Sequence, residues 1–168
     1  MPAGTESRWE LSGFHFSLES FMNTDSAVSA SNNLEDFFGP PISSYSRKQA
    51  LEDGELIDVT ETAAEAGFTV PVALTRAAWE DCVAWSDSDT ARQTYQDIEG
   101  RLWDVLWMAR IEIRCIPLAR AGRSLFIWLR RVPRGGRARR PRLATLKLLA
   151  GAGDDGEPVM TILMPDET

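Results

Sequence analysis

The apolar residues of this chain change their spacing near Ser124, and that change limits the fold more than any other feature. Upstream, Ile98, Leu102, Leu106 and Ala109 recur on one helical stripe, with Trp103 and Trp107 on an adjoining one. Downstream, SLFIWLRRV, LATLKLLA and PVMTILMP alternate with a period of two, separated by a long arginine-rich loop and by the turn signal GAGDDGE. Helices first and hairpins afterwards predict an α+β fold. Several helices should pack on one face of a small, mainly antiparallel sheet of three to four strands formed by the C-terminal half. In that sheet Leu146, Leu148, Met160, Ile162 and Met164 are expected to face the helices, and Thr145, Lys147 and Thr161 to face away. The first strand is apolar on both sides. Either Phe126 and Trp128, or Leu125, Ile127 and Leu129, must find cover outside a two-layer core.

The upstream half carries its own punctuation. Ser46 offers a cap oxygen to a short helix in RKQALEDG that Gly54 would stop, and ELIDV reads as a brief extended piece. Thr60 or Thr62 is expected to cap a second short helix that runs through Ala66 and ends at a left-handed Gly67. Pro71 keeps the chain extended until Thr75, which caps RAAWEDCVAW, with Trp79 and Val83 on one face. That helix should end before SDSD, and Asp89 or Thr90 should cap the long one. RIEIRCI alternates and fits a strand as well, but helix is favoured to about Arg114, with Pro117 as the stop. The wide tryptophan-bearing face of this helix is expected in the core.

Length sets the scale of what such elements can build. The 168 residues, 43% of them hydrophobic, suit one core. Residues 1–33, rich in Ser, Asn, Thr and Glu, are expected to be a flexible N-terminal arm, and 34–168 a single α+β domain; translation could alternatively begin at Met22. No apolar stretch reaches 18 residues and no basic flank precedes an apolar run at the N-terminus, so a cytoplasmic protein without membrane contact is expected. The single histidine, His15, leaves Ser-His-Asp, Cys-His and multi-histidine metal chemistry without their central residue. Cys82 and Cys115 lack metal or redox spacing. No cofactor, no metal and no catalytic residues are expected.

Charge is strongly segregated. Residues 1–100 hold 5 basic and 18 acidic side chains, 101–147 hold 13 and 2, and 148–168 hold 0 and 5. A partner meets a local field and not the chain average, so either pole is a candidate docking surface. The richest segment is RRVPRGGRARRPR, which supplies Arg130, Arg131, Arg134, Arg137, Arg139, Arg140 and Arg142, with Arg123 just upstream. Arginines in a Gly- and Pro-broken context neutralise phosphates and stack on bases; the competing use is a solvated loop that complements the acidic half. Phe126 and Trp128, with Arg130, Lys147, Thr145 and Thr161 on the same sheet face, form a candidate surface platform, a description that also fits a homodimer interface or a surface covered by the N-terminal arm. Asp154, Asp155 and Glu157 lack the spacing of a calcium loop and read as a polar turn. Glu80 with Asp81, and Glu61 with Glu65, read as helix-surface charges rather than acid–base pairs.

Four ordered segments carry a likeness: YSRKQALEDGELIDV, EAGFTVPVALTRAAWEDCV, GRLWDVLWMAR and LKLLAGAGDDGEPVMTILMPDE. Together they resemble a small bacterial family, classed as a domain of unknown function, found on plasmids, phages and integrated elements. The likeness covers about residues 34–168; the arm and the loop near 133–142 depart from it. It implies no activity, and no residue roles come with it. The resulting expectation is a non-enzymatic accessory protein of a mobile genetic element. It would act as a counter-defence inhibitor that binds a host protein or a protein–nucleic-acid complex. The alternative is a nucleic-acid-binding factor that uses the arginine loop 130–142.

Overall fold

The computed structural model describes residues 45–115 and 123–167. The expected arm, the alternative start at Met22, His15 and the stop at Pro117 lie outside the described residues.

Helix α1, Arg47–Glu52, starts at Ser46 in a capping box: the Ser46 hydroxyl accepts from Gln49 N, and the Gln49 side chain accepts from Ser46 N. Gly54 follows with φ 73°. Strand β1, Leu56–Asp58, leads into α2, Thr60–Glu65. Neither threonine caps α2. Val59 stands at the cap, the Thr60 amide donates to Asp58 Oδ1, and the Thr60 hydroxyl is shared between Asp58 and the backbone of Val72. Strand β2 is Val72–Thr75, and Thr75 caps α3, Arg76–Ala78, which widens at once into a π-helical turn over Trp79–Val83.

The preceding helix ends before SDSD, as expected, but SDSD itself opens a further helix. Ser86 and Asp89 form a second capping box that launches α4, Asp87–Arg92. The long helix α5, Ile98–Cys115, therefore begins later than Asp89 or Thr90, with the Asp97 carboxylate accepting from Gly100 N at its first turn. The alternating segment RIEIRC is helical.

The three period-two segments are β3, Ser124–Arg131; β4, Arg142–Ala152; and β5, Pro158–Leu163, paired as the expected antiparallel meander. The sheet is larger than three or four strands. Its order is β1-β2-β5-β4-β3, and β2 runs parallel to β5 through Val72↔Met160 and Leu74↔Ile162. Val72, Ala73 and Leu74 are fully buried. Their continuous apolar run suits a central strand covered on both faces, which a period-two search passes over.

Leu102, Val105, Leu106 and Ala109 of α5 pack on Ile127, Leu129, Leu146, Leu148 and Ile162 of the sheet, closed by Val83 and Cys82 from the π-helical turn. Met164 packs against the same core, as expected, and the inner residues of β3 are Ile127 and Leu129. Helices do not keep to one face. Arg47 of α1 donates to the Thr161 hydroxyl, on the side of β5 away from Met160 and Ile162, and Ala50, Ala73, Val159 and Leu163 are buried there. The Asp154 turn locks this arrangement, because its carboxylate accepts from the amides of Arg47 and Lys48 at 2.7 and 2.8 Å. Trp103 and Trp107 were expected in the core and are not; they are 38% and 47% exposed.

Candidate interaction surface

The outer face of the sheet is covered at β1, β2 and β5 and open at β4 and β3. Register places Phe126 opposite Lys147, Trp128 opposite Thr145, and Arg130 opposite Leu143, all on this open side. Phe126 and Trp128 are 48% and 47% exposed, and Leu143 is 64% exposed. Alternation forces this outcome: once Ile127 and Leu129 enter the core, their neighbours must leave it. The two rings lie 6.5 Å apart at 37°, a tilted pair. The candidate platform of Phe126, Trp128, Arg130 and Lys147 is thus brought together, although the Lys147 ammonium donates to the backbone carbonyl of Glu167 and is held toward the C-terminal segment.

The arginine segment divides into two groups. Arg131 points to the helix side of the sheet, where Nε donates to Asp81 at 3.1 Å and Nη2 donates to the same carboxylate oxygen. Arg134 donates to Asp89 at 3.0 Å and also pairs with Glu80. These two were expected at a docking surface and are engaged by acids of the first half of the chain instead. Arg130, Arg137, Arg139, Arg140 and Arg142 are exposed and form no ion pair among the described residues. They run from the end of the aromatic face along the β3–β4 hairpin.

That hairpin is tied down. Gln93 Nε2 donates to the carbonyls of Pro133 and Ala138 at 2.8 and 2.5 Å, and Arg101 Nη1 donates to Val132 O while Nε donates to Val83 O. Arg101 also lies over the Trp85 ring, 4.8 Å from its centroid. Asp89 accepts from the Ser86 hydroxyl and amide, from Arg134 and from Gly135 N, so its carboxyl is held well below the usual range, the Ser86 hydroxyl contributing most. Asp89, Gln93 and Arg101 are the buried polar residues among those described, and each holds an end of this loop. Sequence reasoning missed all three. The one available signal was a charged residue, Arg101, beside the apolar stripe of α5.

The acidic half forms the other pole. Glu52, Asp53, Glu55, Asp58, Glu61 and Glu65 are exposed on α1, β1, α2 and the turn joining α1 to β1, at the β1 end of the sheet. A shallow cavity of about 590 Å³ lies at this end, lined in part by Tyr45, Glu55, Arg76, Glu80 and Glu167. Two of its three carboxylates are already used: Glu167 accepts from Thr75 and from Met164 N, and Glu80 pairs with Arg134. Among the described residues no three of His, Cys, Asp or Glu gather in a way that could hold a metal ion, and no helix is long and apolar enough to cross a membrane.

Fold and surface together define an α+β protein with a five-stranded mixed sheet and a charged pole beyond each edge strand. The chain belongs to the family of unknown function DUF6573, whose model matches residues 34–121. The match takes in α1 through α5 and ends before β3, so the aromatic face and the arginine hairpin lie beyond it. No curated protein and no solved structure matches the chain.

Proposed function

We propose that this chain is a non-enzymatic accessory protein of a mobile genetic element that docks a host protein–nucleic-acid complex between its two poles, in the manner of a counter-defence inhibitor. One observation carries the reading: six exposed carboxylates lie at the β1 end of the sheet and five exposed arginines at the β3 end. Four inter-strand spacings separate these edges, roughly 19 Å. Charges that far apart do not neutralise each other at physiological salt, where screening acts over about 8 Å. Each pole therefore presents its own field to a partner. The mobile-element setting rests by association on the expected residence of the family on plasmids and phages, and three of the four likeness segments, all but LKLLAGAGDDGEPVMTILMPDE, lie within the matched residues.

The second reading is a nucleic-acid-binding factor using the basic pole alone. The Phe126–Trp128 pair beside Arg130 favours it, since bases stack on such rings while arginines follow the phosphates. Capture of partners from bacterial lysate, with the intact chain and with Glu52, Asp53 and Glu55 changed to Gln, tests the first reading. A stoichiometric protein partner that is lost from the Gln variant supports it, and recovery of none overturns it. Filter binding of a single-stranded oligonucleotide at about 50 and 200 mM salt tests the second. Retention that falls with salt and disappears when Arg137, Arg139, Arg140 and Arg142 become Ser supports it; retention unaffected by those changes overturns it.

A further inference from the structure

Strand β3 lies at the edge of the sheet, and its pairing with β4 uses only one of its two rows of backbone groups. Ala150 N donates to Arg123 O at 2.8 Å, which makes these two a hydrogen-bonded pair of the antiparallel ladder. Such pairs recur at every second residue, so Leu125, Ile127, Leu129 and Arg131 turn their N–H and C=O groups to β4. Ser124, Phe126, Trp128 and Arg130 turn theirs over the rim, where they have no backbone partner among the described residues. Free edges are usually blunted by proline, by a bulge or by extreme shortness. Strand β3 has none of these: it holds no proline, it is 8 residues long, and it pairs with β4 in unbroken register from Ser124↔Leu149 to Arg131↔Arg142.

We infer that the free edge of β3 is a docking site for an extended acidic peptide segment of a partner protein, which adds to the sheet as a further strand. The backbone selects an extended polypeptide. Alternate residues of a strand offer a donor and an acceptor about every 6.8 Å, the repeat at which Phe126, Trp128 and Arg130 present theirs. A nucleic acid can stack on the two rings but carries no such ladder. Charge selects the sign of the segment. Arg123 and Arg130 stand exposed at the two ends of the free row and form no ion pair among the described residues, whereas Arg131 is already matched by Asp81. A second copy of β3 would bring another basic strand to this basic edge, where like charges repel. Residues of the incoming strand that bond to Phe126 and Trp128 share their side of the sheet, so their side chains pack beside rings that are 48% and 47% exposed. The inference goes beyond the two-pole reading, because it requires neither the acidic pole nor a phosphate.

Fluorescence anisotropy of a labelled octapeptide of alternating Glu and Val, titrated with the full chain, is the test. Saturable binding is expected, with the counterpart of alternating Lys and Val at least tenfold weaker. Two further probes carry N-methyl groups on all the Glu residues or on all the Val residues. In an added strand one of these sets of N–H groups bonds to β3 and the other faces solvent. One methylated probe should therefore lose at least tenfold in affinity, and the other should stay within a few-fold of the parent. Arg123→Glu combined with Arg130→Glu, both exposed positions, should reverse the preference in favour of the Lys–Val peptide. Absence of saturable binding by the Glu–Val peptide overturns the inference, and retention of a single-stranded oligonucleotide in its place assigns the edge to the nucleic-acid reading. Equal affinity of the two methylated probes overturns strand addition, and a charge preference unmoved by the double substitution overturns the assignment to this edge.

Discussion

Asp89 and Arg134 lie 45 residues apart in the chain and meet at 3.0 Å, the guanidinium Nε donating to a carboxylate that is only 2% exposed. The contact converts a local capping device into a long-range tie. The same carboxylate that accepts from the Ser86 amide at the start of α4 also fixes the start of the arginine hairpin, with Gly135 N donating to its other oxygen. Two of the arginines at the base of the hairpin hold it to the helices, and the later ones stay on the outside.

Asp89→Asn is expected to lower the melting temperature by several degrees at neutral pH, because it removes the charge shared by Ser86, Arg92 and Arg134. A carboxylate whose folded pKa is depressed stabilises the fold fully above its unfolded value, near about 4, and loses that contribution as pH falls toward the folded value. The gap between Asn and Asp chains should therefore be widest at pH 7 and narrow below pH about 4. Thermal melts across that range check the sign.

Arg101→Met keeps the aliphatic volume of the side chain and removes its donors. The carbonyls of Val83 and Val132 would lose their partner, and Trp85 its cation. A cost on the order of 3 kcal/mol is expected from chemical denaturation. Proteolysis within residues 133–141 should accelerate in parallel, because the hairpin base is released.

Gly67 and Gly135 both have positive φ, 91° and 78°, but only the first is crowded. A Cβ at Gly67 would meet the Arg110 guanidinium at 2.5 Å, whereas one at Gly135 meets nothing within 4 Å. Gly67→Ala should cost about 1–3 kcal/mol, combining left-handed strain with displacement of Arg110, and Gly135→Ala about 1 kcal/mol. Urea denaturation of the two variants measures the difference.

Cys82 is buried within the π-helical turn and its thiol is pushed up to about 11, chiefly by burial, whereas Cys115 is exposed at the end of α5. At pH 8 the Cys82 thiolate is scarce as well as inaccessible. A maleimide should modify Cys115 rapidly and Cys82 only in denaturant, as mass spectrometry of the labelled chain would show.

Much of the local structure was legible before any coordinates. Ser46 and Thr75 cap the helices expected of them, Gly54 follows the helix it was expected to stop, Gly67 takes the left-handed conformation assigned to it, and the three period-two segments form the expected meander. The misreadings share a cause. Val72–Thr75 was seen as extended but not as a sheet strand, because a strand covered on both sides loses its alternation. Trp103 and Trp107 were assigned to the core because periodicity reports that residues share a face, not whether that face is covered. Of the candidate site, the outward turn of Phe126 and Trp128 was an open alternative, and the engagement of Arg131 and Arg134 by Asp81, Glu80 and Asp89 had no local signal.

What the sequence determined by itself is the set of elements and their order, since caps, left-handed glycines and hydrophobic period act over a few residues and depend only on nearby backbone geometry. The tertiary structure decided which strands became neighbours, which side of β3 entered the core, and which arginines were matched by acids. Those outcomes depend on contacts between residues tens of positions apart, such as β2 with β5 and Arg134 with Asp89. Their selection is settled by burial and charge pairing after the chain has closed on itself, when each candidate partner is present and only one arrangement fills the core.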